Sequence, residues 1–248
     1  MIAPARRRIL LAALLAGFVG LGGVGEPVQP VEAAAGYTLE LHRQGDFVPQ
    51  TNLVQCVGAS MQMMINIMAP RNDRTPATQL RLWRLARALG PRRAPGIRRG
   101  KGASPVGWAR GLDQLGYGPY AAVGFPTLAA ATTSAARAIR LTGKPVGILV
   151  WAGRHAWVMT GFRATADPLR TNAFRVTQVT VMDPLYPLDS ATWGTSNPPG
   201  TRLSVARFGR SFVPRRAFIR PSPLDGKYVL VLPVFSFVPR AVERAIAI

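Results

Sequence analysis

Apolar residues recur every three to four positions in four stretches of the first half of the chain. Val57, Met61, Met64, Ile65 and Met68 predict a helix that starts close to position 56. Thr75-Pro76 supplies an N-cap and a first-turn proline for a second helix, with Leu82, Leu85, Ala86 and Leu89 on one face and Gly90-Pro91 as its stop. Ser104-Pro105 opens a third, carrying Trp108, Leu112 and Leu115 and ending at Gly116. Thr127 opens a fourth, with Leu128, Ala131, Ala135 and Ile139 before Gly143. In the second half the pattern changes. Pro145 to Trp151 is an unbroken apolar run, as expected of a central strand. His155 to Phe162, the valine- and threonine-rich Phe174 to Met182, and Tyr228 to Leu232 read as further strands, and residues 189–200 as a loop. Helices first and strands second, without βαβ alternation, predict an α+β fold.

The first 35 residues do not fit this scheme. Arg6-Arg7-Arg8 precede an uncharged apolar stretch from Ile9 to Gly25, and Ala33-Ala34-Ala35 offers small residues for cleavage before Gly36. Residues 1–35 therefore read as a signal peptide or N-terminal anchor, and residues 36–248 as the folded domain. The expected location is secreted or cell-surface, with membrane contact only through residues 1–35 if they stay attached. The remaining 213 of the 248 residues suffice for one domain with a sizeable core.

Charge adds a second expectation. The net charge is +20, and only Lys101, Lys144 and Lys227 of the 31 basic residues are lysines. Most arginines are scattered. One dense cluster, Arg92, Arg93, Arg98, Arg99 and Lys101, lies among prolines and glycines and reads as a loop. No aromatic residues are interleaved to stack on bases, so specific nucleic-acid binding is not expected. Non-specific attraction to anionic cell-surface polymers is.

Cys56 is the only cysteine, so no internal disulfide can form. A free thiol in an exported protein is either inert and buried or chemically used. Cys56 stands where the first helix begins, and unpaired N–H groups and the helix dipole there favour an anion. Gln50 lies six residues upstream. Of the two histidines, His42 and His155, only His155 lies in a patterned strand region, and Asp183 closes the next strand. An antiparallel register that sets Arg163 opposite Arg175 brings His155 opposite Asp183. Asp167 also precedes a Pro-Leu pair but falls in the connecting loop. Cysteine, histidine and carboxylate in this order are the parts of a thiol hydrolase.

These residues carry a family resemblance. Gln50 with Cys56, the segment GKPVGILVWAGRHAWVMTGF (Gly143–Phe162) and VTVMDPLYP (Val179–Pro187) together resemble papain-like cysteine peptidases of the bacteriocin-processing (double-glycine) type. Val57-Gly58-Ala59 stands where that family usually has Gly-x-(Ala/Ser) after the cysteine. The resemblance implies a helical lobe carrying the cysteine and an antiparallel sheet carrying the histidine and aspartate. It also implies Cys56 as nucleophile, His155 as base and acid, Asp183 as its orienting partner, and Gln50 with the Cys56 backbone N–H as oxyanion donors. Gln55 is the rival donor. The implied substrate is a peptide or protein, with no cofactor or metal. Acyl transfer to an amine, as in transglutaminase-like enzymes, uses the same residue order. A non-catalytic basic surface-binding module on the same fold is the third reading.

Overall fold

The computed structural model of the protein describes residues 36–92, 100–217 and 221–234. The proposed signal or anchor, and Arg93, Arg98 and Arg99 of the basic cluster, lie outside the described residues. Among the described residues, four of the five α-helices start at a hydroxyl residue whose oxygen accepts a backbone N–H three positions on. Thr75 caps α2 (Pro76–Ala88), Ser104 caps α3 (Pro105–Gln114), Thr127 caps α4 (Leu128–Thr142) and Ser204 caps α5 (Val205–Ser211). Helix α1 (Cys56–Met68) is the exception: Gln55 precedes it and gives no side-chain cap. Its first N–H groups therefore lack the side-chain acceptor that the other four helices have.

Seven of the strands among the described residues form one antiparallel sheet. They are β1 (Tyr37–Glu40), β2 (Tyr120–Phe125), β3 (Val146–Val150), β4 (His155–Ala164), β5 (Val176–Met182), β8 (Thr201–Ser204) and β9 (Tyr228–Pro233), in the order β2-β9-β3-β4-β5-β8 with β1 also paired to β4. A separate two-stranded hairpin, β6 (Asp189–Ser190) and β7 (Gly194–Thr195), follows β5. The fold is α+β. Helices cover both faces of the central strands, which explains their unbroken apolar runs. Val146, Ile148 and Val150 join Leu230 and Leu232 under α4 and α5. Leu149, Val229 and Val231 point the other way, into the core built by α1, α2 and α3. In that second layer the helices approach closely. A Cβ on Gly58 would lie 2.6 Å from the Gln79 carbonyl oxygen, and one on Gly107 would overlap the carbonyl of Ala86.

Three expectations need correction. The division into helices first and strands second is too simple, because β1 precedes α1, β2 lies between α3 and α4, and α5 follows β8. Strand β1 has four residues and β2 is small-residue-rich and mostly half-buried, so neither shows a strong periodic signal. The segment 189–200, read as a loop, contains the β6–β7 hairpin. The proposed register is also wrong. Arg163 lies opposite Gln178, not Arg175, and Met182 lies opposite Val158. Irregularities at Met159/Gly161 and Arg163/Ala164 shift the pairing. Asp183 consequently sits just past the end of β5, where the Tyr186 N–H donates to its carbonyl and turns the chain.

Candidate active site

Cys56, the first residue of α1, is only partly buried. One turn further on, the Ser60 hydroxyl donates to the carbonyl of Ala156 at 3.3 Å. That bond pins α1 to β4 one residue beyond His155, and so brings the start of the helix against the imidazole. The Cys56 thiol lies near enough to the His155 ring to help raise its pKa. His155 is itself only 5% exposed, and its Nε2 lies 2.8 Å from Asp183 Oδ1. With Nε2 on the carboxylate, Nδ1 is the nitrogen left for the thiol.

Asp183 is fully buried. Its Oδ1 also accepts the Leu185 N–H at 2.9 Å, and its Oδ2 accepts the Asn197 N–H at 3.4 Å. These backbone donors fix the carboxylate, and the carboxylate fixes the ring. Burial alone pushes the His155 pKa down. The Asp183 hydrogen bond and the adjacent Cys56 outweigh it and carry the pKa up to about 9. The ring is thus an imidazolium at neutral pH.

A stack of indoles backs the imidazole. Trp151 lies parallel to His155, with ring centroids 4.3 Å apart and planes 21° apart. Trp193, from the β6–β7 hairpin, stacks behind Trp151 at 5.9 Å and 8°. Trp151 was expected to end its strand. Instead it opens a short 3₁₀ turn, Trp151–Gly153, in which Trp151 and Ala152 both have φ of 56°. Two left-handed non-glycine residues in succession are costly, on the order of 1–3 kcal/mol each. The turn holds the indole against a ring whose positive charge it stabilises.

The nucleophile side is held by amides. The Gln50 N–H donates to the Pro184 carbonyl at 2.7 Å, which ties the loop before Cys56 to the turn after Asp183. Gln50 Nε2 donates one hydrogen to the Asn52 carbonyl at 3.0 Å, and its buried Oε1 has no partner. An amide nitrogen has a second hydrogen to give. Gln55 Oε1 accepts from Thr51 Oγ1 at 2.7 Å, which orients that amide and leaves its Nε2 hydrogens as rival donors.

The sequence reading missed Gln79. From the buried face of α2, its Oε1 accepts the Thr51 N–H at 2.7 Å and its Nε2 donates to the Pro49 carbonyl at 2.9 Å. The available signal was a polar residue in the apolar stripe Gln79, Leu82, Ala86. Asp167 is remote from this cluster, paired with Arg140 at 3.0 Å. His42 is likewise elsewhere, bonded through Nδ1 to Glu40 at 2.8 Å. Among the described residues, no group of three or more histidine, cysteine or acidic side chains is gathered closely enough to hold a metal ion. No described helix is long and apolar enough to cross a membrane.

The thiol, imidazole and carboxylate are therefore in series, with the backbone of the helix start beside them. Compared with protein-family models and with curated proteins, the chain matches none.

Proposed function

We propose that this chain is a thiol hydrolase of papain-like architecture that cleaves a peptide or amide bond through an acyl-enzyme on Cys56. The observation that carries the reading is the buried His155, bonded to a fully buried Asp183, with the Cys56 thiol near enough to help raise the pKa of the ring. A structural histidine–aspartate pair has no need of a half-exposed thiol at an uncapped helix start.

The steps follow from the groups present. Cys56 Sγ, as thiolate, attacks the carbonyl carbon. The oxyanion forms beside the Cys56 N–H and the second hydrogen of Gln50 Nε2. Each such donor is worth about 3 kcal/mol in the transition state of comparable sites. His155 gives its Nδ1 proton to the leaving amine as the C–N bond breaks. The neutral imidazole then takes a proton from water as that water attacks the thioester. Acid is released, and thiolate and imidazolium are restored. Asp183 and Trp151 hold the ring in one orientation throughout.

The test is trapping of the acyl-enzyme. Incubation with activated amide and ester reporters, quenching in acid and peptide mass spectrometry should place the acyl group on Cys56. It should be absent from Cys56→Ala. An acyl group found elsewhere, or none with any reporter, would refute the proposal. Residues 1–35 would direct this enzyme to the outside of the cell. Recovery of a chain beginning near Gly36 from the exported fraction is the corresponding test.

A further inference from the structure

Residues 71–110 carry eleven arginines and lysines against one acidic residue, Asp73, so half of the net charge of +20 resides on this segment. A general excess of arginine would spread evenly and be offset by acids. Elsewhere the acids are used in this way: Arg43 pairs with Asp46, Arg140 with Asp167 and Arg215 with Asp225. Among the described residues, no acidic side chain forms an ion pair with Arg71, Arg74, Arg81, Arg84, Arg87, Arg92, Lys101 or Arg110. Asp73 is turned to Thr75 and Gln62.

Part of this charge is placed against the stability of the helix that bears it. Arg81 and Arg84 are neighbours three apart on the exposed face of α2, where like charges repel. Arg74 lies just before the N-cap, at the positive end of the dipole, and the first turn of α2 has no acid to offset it. Arg92 and Lys101 are exposed at the far end, and Arg110 reaches the Leu89 carbonyl from α3. Arg87, in the last turn, and Arg110, on the C-cap carbonyl, suit the negative end of the dipole, so the charges left without compensation are Arg74, Arg81 and Arg84.

We infer that the outer face of α2, continued by Arg92, Lys101 and Arg110, is a docking surface for a flexible polymer bearing phosphate groups. Guanidinium groups bind phosphate through two parallel hydrogen bonds. The other exposed positions on α2 are Pro76, Ala77 and Ala88, so no large apolar side chain is offered to a bilayer. Trp83 is half-buried beneath Arg87, which leaves no open aromatic face for a base. The surface reads the polymer's charge spacing and nothing attached to it. This inference does not depend on the chemistry proposed at Cys56.

Binding of long-chain inorganic polyphosphate should be measured by titration across a salt series. The full-length protein is compared with Arg81→Gln/Arg84→Gln and with Arg207→Gln/Arg210→Gln, which removes the same charge from the exposed face of α5. The α2 pair should weaken binding about tenfold and flatten the salt dependence, and the α5 pair less than twofold. Equal losses in both pairs would show only the overall charge at work and would overturn the inference. So would tighter binding to vesicles of phosphatidylglycerol or to polyglutamate than to polyphosphate. Thermal melts of both variants establish that they fold, and the α2 variant should melt no lower than the parent, since it relieves a repulsion.

Discussion

The two sides of the candidate site are built to different standards. His155 and Asp183 are 5% and 0% exposed, joined at 2.8 Å, braced by two backbone N–H groups and backed by two stacked indoles. The loop that delivers Cys56 is exposed at Thr51, Asn52 and Leu53, and hangs from the amides of Gln50, Gln55 and Gln79. A proton-transfer pair works in one geometry, so over-determining it costs nothing in function. The nucleophile's loop must admit a substrate, and hydrogen bonds at the protein surface can exchange with water. The contrast predicts that damage on the base side is severe and local, whereas damage on the nucleophile's loop is mild and graded, except at the thiol itself.

The largest effect is expected for His155→Ala, which removes the proposed general acid and base. Turnover of a reporter amide should fall by about 10²–10⁴-fold. Asp183 comes next. Asp183→Ala frees the ring and removes a buried acceptor from Leu185, so both turnover and the melting temperature should drop. Asp183→Asn keeps an oxygen that can accept from Nε2–H and should retain much more activity. Asp167→Ala should leave turnover unchanged. Full activity in Asp183→Ala together with loss in Asp167→Ala would break the assignment of the base side.

Stability against pH sharpens the same side. The His155 pKa is raised in the folded state to about 9 from an ordinary value near 6.5. Its stabilising contribution is therefore fully present below pH 6.5 and is lost as pH rises through about 9. Denaturant midpoints should fall between these values, and the fall should be shallower in Asp183→Asn, where the carboxylate that favours the cation is gone. A flat profile in the parent protein would contradict a charged His155.

Smaller changes are expected from the supports. Trp151→Leu removes a cation–π contact worth about 0.5–2 kcal/mol. It should lower kcat several-fold with little change in KM, and shift the alkaline limb of the pH profile toward acid. Gln79→Leu leaves the Thr51 N–H and the Pro49 carbonyl without their partner. Thr51 is exposed and can take water, so the stability cost should be near 1 kcal/mol, the lower end for a lost hydrogen bond. Its kcat should fall less than that of Trp151→Leu. A larger loss in Gln79→Leu than in any base-side support would invert the comparison.

How legible these features are in the sequence follows the same division. Helix starts are local chemistry, and Thr75-Pro76, Ser104-Pro105 and Thr127 announce theirs; the structure caps each of them at that residue. Cys56 and His155 stand out by scarcity. The sheet register does not, because a bulge leaves no mark in a run such as Trp157-Val158-Met159-Thr160-Gly161. Asp183 meets His155 by a turn after the strand, and not by the cross-strand pairing expected of it. Trp151 and Trp193 come from different turns and meet only in three dimensions. Gln79 acts across a helix interface, so its role cannot be read from its neighbours in the chain.

The central claim is that Cys56 and His155 work as a charge pair. It is tested most directly by the rate of Cys56 alkylation with iodoacetamide between pH 5 and pH 10, in the parent protein and in His155→Ala. The parent should label faster than His155→Ala near pH 6, because the charged ring beside the sulfur favours attack by it. His155→Ala should label slowly there and gain rate only as pH approaches the free-thiol range near 8.5. Superimposable profiles for the two proteins would contradict the account.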